Sequence, residues 1–158
     1  MIGLYITMMV IFVAYVATIV SLYWVLPSIS ESYYRLPYKW KPMFTLALWG
    51  FAFPAMLIGT PITGLMFFAT AGIMFVGAAA GFQQKVTKTV HAVGAAVGMI
   101  FSQIAIATAF DMWYLTLISV TLAGLLFLFR KRIHGTLVFW IEIISFTAIG
   151  LAYGVYLL

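Results

Sequence analysis

Cysteine is absent from this chain, and acidic side chains nearly so: 158 residues hold only Glu31, Asp111 and Glu142. The first absence excludes disulfides, thiolate metal sites and cysteine nucleophiles. The second leaves no pair of carboxylates at a spacing useful for acid–base work. Also missing are a glycine-rich phosphate loop, a His-x-x-x-His or His-Glu-x-x-His pair and a Gly-x-Ser-x-Gly elbow. Charge of either sign is scarce. Only 7% of residues are charged, against about 25% in a soluble domain.

What fills the space is hydrocarbon. Hydrophobic residues make up 66% of the chain, and the mean hydropathy is +1.17. A spanning helix needs roughly 20 mainly apolar residues, and six segments meet or approach that: about Ile2–Leu26, Pro42–Ile58, Ile62–Gly81, Thr89–Phe110, Trp113–Phe129 and Thr136–Leu158. The expected fold is an all-α integral membrane protein, a single six-transmembrane-helix bundle with short loops. Its first segment lacks the basic flank of a signal peptide and exceeds the length of a signal's apolar core, which predicts a retained span. Pro54 predicts a kink in the second segment. Asp111 is placed to cap the fifth helix.

The net charge of +5 does not point to nucleic acid, because of where the basic residues lie. Arg35, Lys39 and Lys41 follow the first segment, Lys85 and Lys88 the third, and Arg130, Lys131 and Arg132 the fifth. With six spans these three connections share one side, which the positive-inside rule makes cytoplasmic. Both termini are then non-cytoplasmic, and the expected location is a bacterial inner (cytoplasmic) membrane. Glycines four apart recur at Gly77 and Gly81, Gly94 and Gly98, and Gly150 and Gly154. Such spacing lets helix backbones approach closely in lipid. It predicts a compact bundle, or contact with a second copy or another membrane protein, and does not choose between them. No convincing internal repeat marks an inverted-repeat transporter.

Ionisable groups inside lipid are costly and rare, so each is a functional hypothesis. Glu142 lies about eight residues into the last segment, with Ser145 one turn on along the same face. A partner for it inside the bundle is expected. His91 opens the fourth segment and shares a face with Gly94, Ala95, Gly98 and Ser102, so it points inward; Gln103 lies on the neighbouring edge. His134 follows the Arg-Lys-Arg run at the interface. Ser28-Ile-Ser-Glu31 fits a capping box, which predicts a short helix lying along the cytoplasmic surface. Tyr33, Tyr34, Tyr38 and Trp40 would be its interfacial aromatics. Candidate ligand-binding residues are therefore Ser28, Ser30, Glu31, His91, Gln103 and Glu142. No resident metal or cofactor is expected; a metal, if present, would draw on Glu31, His91, His134 and Glu142.

Three stretches carry a family likeness: Ser28-Ile-Ser-Glu-Ser-Tyr-Tyr34, Lys88-Thr-Val-His-Ala-Val-Gly-Ala-Ala96 and Phe139-Trp-Ile-Glu-Ile-Ile-Ser145. In these the chain resembles small bacterial multi-pass proteins of the DUF998/Frag1 type, and more distantly the alkaline-ceramidase-like (CREST) membrane superfamily. That resemblance implies a shared helical bundle. In the hydrolase branches it would imply a zinc site, with Ser28 or Ser30 matching the serine and His91 the first histidine. The paired histidines of the final helix have no counterpart here; Glu142 stands in their area. The reading that follows is a non-catalytic bundle that binds lipid or a small molecule, in a sensing or accessory role, through a polar site in the cytoplasmic half. Its expected partners are membrane lipids, not nucleic acid. Two other readings stay open: a small transporter or channel using Glu142 and Gln103, and a metal-dependent membrane lipid hydrolase.

Overall fold

A computed structural model describes residues 1–133 and 135–157. Every element among them is helical: α1 (Ile2–Tyr23), α2 (Ser32–Arg35), α3 (Pro42–Gly59), α4 (Gly64–Ala78), α5 (Lys85–Thr108), α6 (Trp113–Leu128) and α7 (Leu137–Leu157), with a 3-10 turn at Tyr38–Trp40 before α3. An apolar helix stands at each of the six expected segments. Four are long and apolar enough to cross a membrane: α1, α3 with its preceding turn, α5 and α7. α4 and α6 are shorter, at 15 and 16 residues, or about 22 and 24 Å at the standard rise.

Three boundaries differ from expectation by three or four residues. α1 stops at Tyr23 rather than Leu26 because Trp24 takes a positive φ of 61°, which turns the chain off the helix axis. α4 ends at Ala78, three residues early, and α5 begins four residues early at Lys85. Asp111 does not cap α6. Met112 is the N-cap residue and no side-chain cap bond forms. Asp111 itself has a φ of 55°, a left-handed conformation that aspartate tolerates better than most residues. It closes α5, whose Ile106 carbonyl accepts from Met112 N–H at 2.9 Å. α3 continues through Pro54, and Thr63 caps α4 by accepting from Leu65 N–H at 3.3 Å.

The six long helices pack in chain order, with α7 returning to α1 and also touching α5 across the bundle. Phe12, Phe51 and Phe146 meet at ring separations of 4.7 to 5.4 Å between α1, α3 and α7. The Tyr153 hydroxyl donates to the Ala55 carbonyl at 2.7 Å, tying α7 to α3. Glycine spacing serves the closest approach. A Cβ on Gly72 would stand 2.6 Å from both the Gly94 oxygen and the Gly98 nitrogen, so α4 and α5 touch backbone to backbone. Gly150 and Gly154 likewise receive Met9 and Tyr5 of α1. α6 is the outlying helix; Ser119 is its one buried residue.

These contacts set different costs for the same substitution. Gly72→Ala has no direction in which to relax and is expected to cost about 1–3 kcal/mol, the range for overpacking. Gly124→Ala on α6, where a Cβ meets nothing within 4 Å, is expected to be neutral or slightly stabilising. Unfolding midpoints in mixed detergent check the pair. Equal midpoints would show that the α4–α5 contact is looser than described.

Candidate functional site

The site is built around the chain between α1 and α3. A short helix does form here, α2, but the segment around it turns inward: Leu26, Ile29, Ser30, Ser32 and Leu36 are all buried. The turn starts at Trp24, whose φ of 61° and ψ of −161° fall where glycine alone is comfortable. Such a conformation costs roughly 1–3 kcal/mol and persists only where its surroundings enforce it.

Those surroundings are side chains aimed at one residue. Ile29 is 2% exposed, and within its own segment only its carbonyl is served, accepting from the Ser32 N–H at 3.1 Å. Its N–H donates to the Glu142 carboxylate at 2.6 Å. Its carbonyl accepts from the Ser32 hydroxyl at 2.5 Å. That bond uses the only proton of Ser32, so the Tyr15 hydroxyl, 2.6 Å away, must be the donor to Ser32. A chain of bonds thus runs from α1 through the inserted segment to α7. Beside it, the Pro27 carbonyl accepts from Phe139 N–H at 3.1 Å, satisfying a free donor in the first turn of α7.

Next to Glu142 lies a cavity of about 40 Å³ among α3, α4, α5, α7 and the inserted segment. Its polar lining is Glu142, Ser30, Ser102 and Ser145; the rest is apolar. Ser102 already donates to the Met99 carbonyl at 2.9 Å. Neither the Ser30 nor the Ser145 hydroxyl has a partner among the described residues. A water needs about 10–15 Å³ by this kind of measure, so a molecule of a few heavy atoms fits. A carboxyl group keeps acceptor sites beyond the one that Ile29 takes. What the cavity can do chemically is hold a hydrogen-bond donor against Glu142, with hydroxyls alongside that can donate or accept.

The expected site residues divide. Ser30 and Glu142 meet at the cavity. Ser28 caps locally, accepting from Glu31 N–H at 3.1 Å, as its capping-box position suggests, while α2 begins only at Ser32 and its N-cap residue Glu31 makes no cap bond. Neither Ser28 nor Glu31 lines the cavity. His91 faces inward but elsewhere. Its Nδ1 lies 3.2 Å from the Ala79 carbonyl and its ring 4.6 Å from that of Phe82. Both side-chain amide atoms of Gln103 are buried without a partner among the described residues, and Gln103 does not line the cavity. His134 lies outside the described residues. Among those described, no group of three or more potential metal ligands gathers.

Tyr33 and Tyr34, expected as interfacial aromatics, are half-buried and pack against neighbouring rings. Tyr33 stacks edge-on with Tyr34 and Phe44. Tyr34 meets Phe82 at 5.0 Å, and its hydroxyl accepts from Gln83 N–H at 2.7 Å. Tyr38 and Trp40 stay exposed. Two contributors escaped the sequence reading, Tyr15 and Ser32. The signal for Tyr15 was its place in the stripe Met8, Phe12, Tyr15, Ile19, the buried face of α1. A hydroxyl on such a face needs a partner.

No family model matches the chain, and no curated protein or solved structure matches it.

Glu142→Ala leaves the buried Ile29 N–H without an acceptor and is expected to cost about 1–3 kcal/mol. Glu142→Gln keeps an acceptor oxygen and should lose less than half as much. Tyr15→Phe, which removes one donor while Ser32 keeps its own bond, should cost about 1 kcal/mol. Unfolding midpoints order the three; a Glu142→Ala protein as stable as wild type would remove the anchoring role.

Proposed function

We propose that the protein is a non-catalytic six-span membrane bundle that binds a small polar molecule, or the polar tip of a lipid, beside Glu142. The observation that carries this reading is the buried carboxyl group of Glu142 sharing an otherwise apolar cavity with three serines. In lipid such a cluster is expensive and is kept where it does something. A hydroxyl or amine of the ligand would donate to Glu142 and exchange hydrogen bonds with Ser30 and Ser145. A sensing or accessory role suits a site with no paired acid and base. The likeness of Ser28–Tyr34 and of the stretches around His91 and Glu142 to the ceramidase-like superfamily supports a related bundle without its chemistry.

The clustering of basic residues in three connections supports a cytoplasmic position for this end of the bundle, in a bacterial inner membrane with both termini outside. α4 and α6 are short for a core about 30 Å thick, so the six-span reading requires local thinning or anchoring at their ends.

Two experiments test the proposal. Native mass spectrometry of the purified protein is expected to show a reproducible small adduct, lost in Glu142→Ala and in Ser30→Val. A wild type that never carries an adduct, under mild release from several detergents, would sink the binding reading. For topology, the absence of native cysteine makes single-cysteine labelling clean. Lys39→Cys and Lys131→Cys should react with an impermeant maleimide from the cytoplasmic side only, and Thr60→Cys and Asp111→Cys from the outside only. Labelling of position 60 or 111 from within would overturn the six-span arrangement.

A further inference from the structure

A second concavity lies on the outer face of the bundle, away from Glu142. It is a groove of about 380 Å³ between α4 and α5. Its floor is Gly72 and Gly94, where the two backbones touch. Its walls are Phe68 and Phe75 on α4 and Val90, Val93 and Val97 on α5. Phe68, Phe75 and Val93 are more than half exposed, at 52%, 58% and 56%. The shape follows from sequence: two glycines let the helices meet and leave no side chain over the seam, while bulky neighbours rise on either side.

The groove has a direction. From Thr89 to Val97 it runs about 12 Å along α5, most of the roughly 15 Å depth of one leaflet's hydrocarbon. At its upper end Lys85 stands one turn before Thr89 on the same side of the helix, and Lys88 lies in the same turn. Both lysines are exposed. No acidic residue lies in the first turn of α5, and its N-cap residue Gln84 makes no side-chain cap bond. The free N–H groups there add to the positive potential. The apolar groove therefore opens onto a cationic mouth. Basic pockets between spanning helices are a known route to anionic headgroups.

We propose that this groove is a binding site for an anionic phospholipid, with one acyl chain along the Gly72–Gly94 seam and the phosphate held by Lys85 and Lys88. A zwitterionic lipid could lay its chain in the same groove, but its phosphate charge is offset by its own amine, so the lysines distinguish the two. A second copy of this chain is a poorer occupant, because it would bring another Lys85 to the same mouth.

The test is native mass spectrometry of the full chain, purified and exchanged into equal amounts of phosphatidylglycerol and phosphatidylcholine. Wild type is expected to retain phosphatidylglycerol in preference. Lys85→Gln and Lys88→Gln should each lower that preference roughly fivefold, the effect of one basic residue near an anionic surface. Val93→Trp, at an exposed position that folding tolerates, should reduce retention of both lipids by filling the groove. Arg130→Gln with Lys131→Gln, at the same membrane face but off the groove, should leave the preference unchanged. Equal retention of the two lipids by wild type would overturn the proposal. So would a preference that survives loss of both lysines, or one that follows Arg130 and Lys131 instead.

Discussion

The arrangement depends on the backbone of one residue. Ile29 is buried in a non-helical segment, and in a membrane interior every such N–H and C=O must find a partner within the protein. A helix supplies these from its own turns; the turns of this segment serve the Ile29 carbonyl, through the Ser32 N–H at 3.1 Å, but not the Ile29 N–H. Glu142 from α7 takes the N–H, and Ser32, held by Tyr15 from α1, serves the carbonyl. Remove these and the segment keeps its apolar packing and the Pro27–Phe139 bond, but the Ile29 N–H loses its acceptor. Glu142 is therefore first a structural acceptor, and its other lone pairs are what remain for a ligand.

This ordering explains why the cavity sits where it does. The inserted segment wedges between α1, α3 and α7 at one end, and α7 reaches α5 only across the bundle. Small residues on α5, Gly98 and Ala95, face that gap while Gly94 and Gly98 hold α5 against α4. Gly98 borders both the gap and the α4 contact, and Ile73 and Val76 of α4 complete that wall of the cavity. Ser30, Ser102 and Ser145 are the polar side chains short enough to border the space without filling it.

The helices were legible in the sequence because hydrocarbon length is a strong constraint: six apolar segments were expected and six apolar helices stand there. Their ends were less legible. Trp24 and Asp111 stop or redirect the chain through positive φ values, and neither residue type announces that. Glu142 could be singled out from its cost alone, along with its need for a partner. The partner could not be named, because it is a backbone N–H 113 residues away in sequence, and backbone donors carry no sequence signature. The same blindness made Ser28–Tyr34 read as a surface helix: its polar residues match a solvated collar as well as a buried turn, and only tertiary contact separates the two.

The polar end also proves to be two neighbourhoods, and this bears on chemistry. In one, Glu142 and the serines surround a cavity. In the other, His91 lies against Phe82, which meets Tyr34, while the His91 ring nitrogen faces the Ala79 carbonyl. A ring nitrogen that faces a carbonyl oxygen is satisfied by donating its proton there. A hydrolytic centre would need His91, an acid and a further ligand to converge. Here the aromatic packing of Phe82 gives His91 a structural occupation, and the hydrogen bond to Ile29 gives Glu142 another. Each group is committed to holding a different part of the chain in place. Bringing them together would require breaking the Ile29 anchor or the Phe82 stack.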